Sequence, residues 1–304
     1  MPKSSLLLGL RDVVDIAMRA RNPWEAARAV LPARFRPVQV LNEDRVAGGE
    51  SSGAAELARR LRMVRAQLKG DAIVNGRVDY GLMGRSAAYT ELASMTALLR
   101  DLNLDELVTD SEKLAFWINM YNVLAIDGVV AIGIKKSVME VPSFFSTMAY
   151  RVGGHVVTLD EIENGILRCN SAHPATKVPQ FPAGDPRLAL CPSQVDPRIH
   201  SALVCASTSC PPFAFYDADR LDTQLDLATA GYVEGDIRVR DDAKVVDIPI
   251  TFHYYASDWG DSAAIYAFLI GHATGVLRQA LERAAEAQYE FEYQRYDWSL
   301  NSVA

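Results

Sequence analysis

His200, Cys205 and Cys210 fall within one short stretch, and they are the side chains of this chain best suited to covalent chemistry. A thiolate attacks a carbonyl carbon once a base has removed its proton, and an imidazole is the usual base. The stretch reads Asp196-Pro-Arg-Ile-His-Ser-Ala-Leu-Val-Cys-Ala-Ser-Thr-Ser-Cys-Pro-Pro212. Ile199, Leu203 and Val204 among small neighbours predict a short buried strand ending at Cys205, and the Ser, Thr and Pro residues that follow predict a turn. A strand end that opens into hydroxyls and backbone N–H groups is a common way to present a nucleophile. The competing reading is a buried cysteine without chemistry, because free Cys is among the most buried residue types.

That strand sets a geometric problem. Five extended residues span about 16 Å and place His200 and Cys205 on opposite faces. A direct pair requires the chain to bend near Val204. Otherwise Cys210 is the nucleophile returning toward His200, or the base is a remote residue such as His155 or His253. A Cys205–Cys210 disulfide across the turn also stays open. With Cys169 and Cys191 the chain has four cysteines and no CxxC pair, so neither a disulfide framework nor a metal site is expected, and no cofactor motif is present.

The elements that must position these groups are mostly helical. Thr109-Asp-Ser-Glu112 is a capping box, and it opens the apolar run from Lys113 to Gly133, whose glycine is the natural stop. The run approaches the ~20 residues of a membrane span. Asp127 near a bilayer centre would cost about 2.5–3.5 kcal/mol, and Asn119 and Asn122 add to that, so a buried core helix is expected. The two asparagines lie three apart on one face, where unpartnered amides would each cost about 1–3 kcal/mol. They are expected to be buried and hydrogen-bonded, either tying down neighbouring loops or bracing the cysteine pocket.

Helical periodicity also marks residues 54–68, a segment through Tyr89 and Leu99, and residues 217–230. Gly153-Gly154 between alternating apolar residues predicts a hairpin, and Ile237–Arg240 and Val245–Ile250 mark two further short strands. Thr158-Leu-Asp-Glu161 is a second capping box and predicts a helix through Arg168. The long polar loop 170–195 is expected to be a lid over the cysteine turn. Helices are expected from Phe252 to Ala280, followed by an aromatic tail from Tyr289. Strand signals that arrive as hairpins predict an α+β fold, with a small, mostly antiparallel sheet packed on the central buried helix rather than a parallel doubly wound sheet.

Residues 1–36 carry seven basic and three acidic side chains at roughly amphipathic spacing. They predict a helical N-terminal arm, which with a small-residue linker makes a segment 1–50 apart from a main domain 54–304. The arm packs on that domain or docks on a membrane surface or a protein partner. The whole chain has 31 basic against 38 acidic residues, a balance that argues against nucleic-acid binding. Leu6-Leu7-Leu8 is too short for a secretory core, so a cytoplasmic protein is expected.

Four blocks resemble one family, domain of unknown function 547 (DUF547). They are Leu114-Ala-Phe-Trp-Ile-Asn-Met-Tyr-Asn122, Thr158-Leu-Asp-Glu-Ile-Glu-Asn-Gly-Ile-Leu-Arg168, the cysteine stretch itself, and Tyr296-Asp-Trp-Ser-Leu-Asn301. The resemblance covers roughly residues 70–300. It implies a cysteine-containing domain, with a distant likeness to papain-like or transglutaminase-like enzymes. It carries Glu163, His200, Cys205 and Cys210 onto the family's pattern. The family usually has His after the matched Glu, where this chain has Asn164. The resulting expectation is a cysteine-dependent hydrolase or acyl transferase acting on a peptide or amide. Cys205 is its nucleophile, His200 its base and Glu163 the group that orients the base. Asn119, Asn122, Cys210 and Arg168 line or brace the pocket. The alternative is a non-catalytic binding or scaffold protein that uses the same pocket.

Overall fold

The computed structural model describes residues 37–48, 77–141, 143–174 and 177–303, with positions 53, 57, 60, 64, 67 and 72–74 between them. The expected arm of residues 1–36 lies outside the described residues. Residues 37–48, read with the linker, are part of the main body. Gln39–Val40 is a strand (β1), and the Asn42 amide nitrogen donates to the carbonyls of Thr96 and Arg151 at 2.7 and 2.9 Å.

The architecture is mixed α+β, and its strands form three small sheets rather than one. In the first, β1 runs parallel to Met148–Val152 (β4), which pairs antiparallel with His155–Thr158 (β5). Gly153 and Gly154 make that turn, both at positive φ, the conformation this tight hairpin needs and glycine adopts without strain. Ile73–Val74 (β2) and Arg77–Val78 (β3) form a two-stranded ribbon. In the third sheet Arg238–Arg240 (β6) pairs antiparallel with Val245–Pro249 (β7), which pairs in parallel with Glu290–Gln294 (β8). The last strand comes from the segment expected to be only an aromatic tail.

Helix Ala87–Leu98 (α1) precedes the central helix Asp110–Ile132 (α2). Both halves of the capping box form on α2: the Glu112 amide donates to Thr109 Oγ1 and the Thr109 amide to Glu112 Oε2, at 3.2 and 2.8 Å. Gly133 ends it in the left-handed conformation, with φ 73°. By length and composition α2 could cross a membrane, yet 83% of its apolar window is buried inside the protein. Met148 of the first sheet and Phe144, in the helical turn just before β4, lie against Gly128 of α2. Leu221–Asp236 (α3), Ser262–His272 (α4) and Gly275–Glu286 (α5) follow.

Two hydrophobic cores result. One surrounds α2; the other packs β7 against α4 and α5 around Phe252, Trp259 and Leu269. The chain's end joins the first core to its surroundings. Leu300 donates to the Lys136 carbonyl, Thr208 to Ser299 and Asn301 to Ala206, so residues 298–301 are laced along the cysteine loop.

Three local expectations are corrected. The strand expected to end at Cys205 is a 3-10 turn, Pro197–Ser201, followed by irregular chain. Asp196 caps that turn by accepting from the Arg198 amide, and Pro197 supplies a preset φ at its first position. The segment after the second capping box is a π-helix, Glu161–Leu167, although its reciprocal Thr158–Glu161 hydrogen bonds do form. The loop 170–195 is not a lid over the cysteines. It lies against the start of α2 and the π-helix, where Lys113 Nζ donates to the carbonyls of Ala189 and Cys191. Phe181 of this loop comes so close to Gly165 that any Cβ there would sit 2.4 Å from the ring.

Candidate active site

A small, partly open cavity of about 40 Å³ lies where the two cores meet. Tyr121 of α2 and Leu203, Cys205 and Trp298 reach it from the first core, and Tyr232 and Tyr255 from the second. Glu163 and His200 line it as well. The 3-10 turn does what an extended strand could not, since winding the chain brings residues 200 and 205 to one hollow. Neither His155 nor His253 lines it, and no described residue of the loop 170–195 does.

His200 is buried, its ring stacked 4.1 Å from Tyr255 and tilted over Trp259 at 5.3 Å. Its Nε2 is 3.0 Å from Asp258 Oδ2. Glu163 was expected to orient this ring, and that assignment is corrected: the carboxylate at hydrogen-bond distance is Asp258's. Glu163 lies close enough for its charge to act on the imidazole and lines the cavity beside it. Asp258 is held in turn by Arg168, whose Nε and Nη2 donate to its two oxygens at 2.5 and 2.6 Å. Arg168 is wholly buried and does not line the cavity; it stands behind Asp258 and fixes it.

Burial pushes the His200 imidazole below its ordinary pKa, against the opposing pull of Asp258. Burial alone would raise Asp258, but the bonds from Arg168 and His200 outweigh it and hold this carboxyl well below the usual range. The ring is therefore neutral near pH 7. With Nε2–H donated to an ionised Asp258, Nδ1 is left as the ring's acceptor.

The sulfurs of Cys205 and Cys210 are joined in a disulfide. The Tyr296 hydroxyl lies 3.0 Å from one and 3.1 Å from the other, and the Ser207 hydroxyl donates to the Tyr296 oxygen at 3.0 Å, leaving the phenol proton to point at sulfur. Cys205 is only 4% exposed. Ala206, the next residue, has φ 65°, an uncommon backbone state for a residue with a Cβ, and Asn301 anchors it by donating to its carbonyl.

Both predicted asparagines are buried and bonded. Asn122 donates to the carbonyls of Ala202 and Ala214, at 2.9 and 3.3 Å, and accepts from the Val204 amide at 2.8 Å. Asn119 exchanges two bonds of 2.8 Å with the Tyr216 backbone. Neither lines the cavity, yet together they clamp both ends of the cysteine loop to α2. Asn164 accepts from Arg168 at 3.0 Å, while its buried amide nitrogen has no hydrogen-bond partner among the described residues.

Residues 105–233 match the model of DUF547, a family of proteins of unknown function. That stretch is a DUF547 domain. No curated protein and no solved structure matches the chain. The DUF547 match contains Glu163, His200, Cys205 and Cys210, and also Tyr121, Arg168 and both clamping asparagines. Asp258, Tyr296 and Trp298 lie beyond its end, so the cavity is completed by chain outside the matched region. Asp258 carries no local motif. Its only mark in the sequence is an acidic residue in an aromatic stretch, Tyr254-Tyr255-Ala-Ser-Asp-Trp259. Tyr296 and Trp298 stood in a recognised block without an assigned role.

Proposed function

We propose that this protein is a cysteine-dependent hydrolase or acyl transferase acting on a peptide or amide, active when the Cys205–Cys210 disulfide is reduced. The observation that carries this reading is the sharing of one cavity by Cys205 and His200, with Asp258 holding the ring through Nε2 and leaving Nδ1 as acceptor. A thiol reductant delivers two electrons and two protons to the disulfide and is itself oxidised to a disulfide. Cys205 then passes its proton to His200 Nδ1 and attacks the carbonyl carbon. The C–N bond breaks, His200 returns the proton to the departing amine, and water or a second nucleophile takes the acyl group from sulfur. Tyr296 O–H, beside the sulfurs, is a donor for the developing oxyanion. A papain- or transglutaminase-like arrangement forms part of this reading. It is supported by the Cys, His and Asp set and by small sheets around a buried helix.

One observation favours a non-catalytic binding protein instead: the sulfur that shares the cavity with His200 is tied to Cys210, and Cys205 is buried. Alkylation separates the two readings. After reduction, Cys205 should react with iodoacetamide even near pH 6, well below the ordinary thiol pKa of about 8.5. His200→Ala should slow that reaction at least about tenfold, and Asp258→Asn should slow it by less. A reduced Cys205 that labels like a free thiol and ignores His200→Ala would end the enzyme reading and leave the binding one.

A further inference from the structure

A second, open groove of about 430 Å³ joins the cavity, and Pro211 and Tyr232 line both. One wall is a single face of α3, with Gln224, Leu227, Ala228, Gly231, Tyr232 and Asp236 at helical spacing. The other wall is the chain that leaves the disulfide, from Cys210 through the two prolines to Phe215 and Tyr216. The α3 wall is accessible, with Leu227 68% exposed and a Cβ built on Gly231 meeting nothing within 4 Å, and on the other wall Pro212 is exposed while Phe215 and Tyr216 are buried. From Gln224 to Asp236 the helix rises about 18 Å, the length of about five extended residues.

The polar groups of the groove are few and placed. Ser201 Oγ is buried and has no hydrogen-bond partner among the described residues. Asp236 lies one helical turn past Tyr232, the α3 residue that lines both groove and cavity. The Arg238 guanidinium beside it is turned onto the carbonyls of Glu234, Gly235 and Ile237, so the Asp236 carboxylate has no salt bridge of its own among the described residues. An apolar trough beside the reacting sulfur, with a carboxylate one helical turn from the residue that groove and cavity share, matches one chemistry. We propose that the groove seats an extended peptide of four or five residues, apolar along Leu227 and Pro212, with a basic residue beside Asp236 next to the carbonyl presented to Cys205. This rests on the thiol-enzyme reading of the cavity.

Binding can be read without turnover on the oxidised full-length chain. The probe is a fluorescein-labelled Leu-Phe-Ala-Phe-Lys amide, followed by anisotropy, against the same peptide ending in Glu. The lysine peptide should bind at least about tenfold tighter, and Asp236→Lys should reverse that preference. Gly231→Leu, which adds a side chain into open space and should leave the circular dichroism unchanged, should weaken the lysine peptide at least about tenfold. Equal binding of the two peptides, or indifference to Gly231→Leu, overturns the proposal. So does a change of solution mass on Gly231→Leu without peptide binding, which would make the groove a self-association face. Iodoacetamide labelling of the reduced chain keeps the two readings apart, because the reagent is small enough to reach sulfur without the groove. Fast labelling without peptide binding removes the groove proposal alone. Peptide binding with a sluggish Cys205 removes the enzyme and leaves the groove.

Discussion

Two buried carboxylates in this protein are each gripped by an arginine fork, and their surroundings differ in kind. Asp127, in the middle of α2, receives Arg45 Nη1 and Nη2 at 2.6 and 2.8 Å and the Tyr89 hydroxyl at 2.6 Å, and the Tyr150 hydroxyl also donates to it. Every one of those donors is a group that keeps its proton near neutral pH: burial drives both tyrosines above their ordinary pKa. Asp258 receives Arg168 in the same bidentate manner, but its third partner is an imidazole that lines a cavity with a sulfur. The first cluster ties residues 37–48, α1, α2 and β4 together; the second aims a titratable ring. A buried ion pair by itself is weak evidence of function. What marks a site is a partner that can exchange a proton and has space in front of it.

The sharpest way to break this comparison is to remove each carboxylate. Asp258→Ala leaves Arg168 charged with its side chain at 0% exposure, and an unpaired buried charge costs about 3–5 kcal/mol. Asp127→Ala leaves Arg45, which is 20% exposed and can turn to water, so the loss should fall to about 1–3 kcal/mol. Urea midpoints at neutral pH measure both. Equal losses would mean that burial of the arginine does not decide the cost.

A smaller effect tests the clamp between helix and cysteine loop. Asn122→Leu strands the Ala202 and Ala214 carbonyls and the Val204 amide, and should destabilise by about 1–3 kcal/mol. Because Val204 precedes Cys205, it should also make the disulfide easier for a thiol reductant to reach. Asn119→Leu strands only the Tyr216 backbone, so it should lower stability while leaving the reduction rate near that of the unaltered protein. Identical reduction rates for the two variants would mean that Asn122 holds the fold without holding the site.

The parts of this molecule that were legible in the sequence are those whose cause is local. The capping box at Thr109, the stop at Gly133 and the Gly153-Gly154 hairpin are each dictated by a few adjacent residues. The asparagine face of α2 needed only helical spacing and the cost of burying an amide. The turn Pro197–Ser201 was misread because a short apolar run does not distinguish a buried strand from a buried turn of helix. Its better clue was Asp196 before Pro197, a cap followed by a residue suited to the first helical position. Asp258 was illegible for a different reason. It meets His200 only because the helical turns after β6 and β7 come back to the Pro197–Ser201 turn and Arg168, and no spacing in the chain encodes that return. The strand Glu290–Gln294 was hidden likewise, since its partner β7 runs parallel and far away in sequence.

The smallest expected effect uses pH, and it distinguishes the two carboxylate clusters without damaging either. The His200 pKa is lower in the folded protein than the 6.5 of the free side chain. Below about 6.5 the unfolded chain therefore binds a proton that the folded chain resists, and stability falls as pH drops through the window beneath that value. The contribution is complete above it. One proton limits the slope to about 1.4 kcal/mol per pH unit. Asp258, with its pKa depressed, adds its own loss only further into the acid range. The urea stability of the unaltered protein minus that of His200→Gln should thus shrink from pH 7 to pH 5, other titrations cancelling in the difference. For Tyr89→Phe, which leaves the Arg45–Asp127 pair in place, the same difference should stay level, because the raised Tyr89 phenol holds its proton throughout the window. A level line for His200→Gln would show that the ring carries no such linkage, and the contrast between the structural cluster and the chemical one would fail at the group on which it depends.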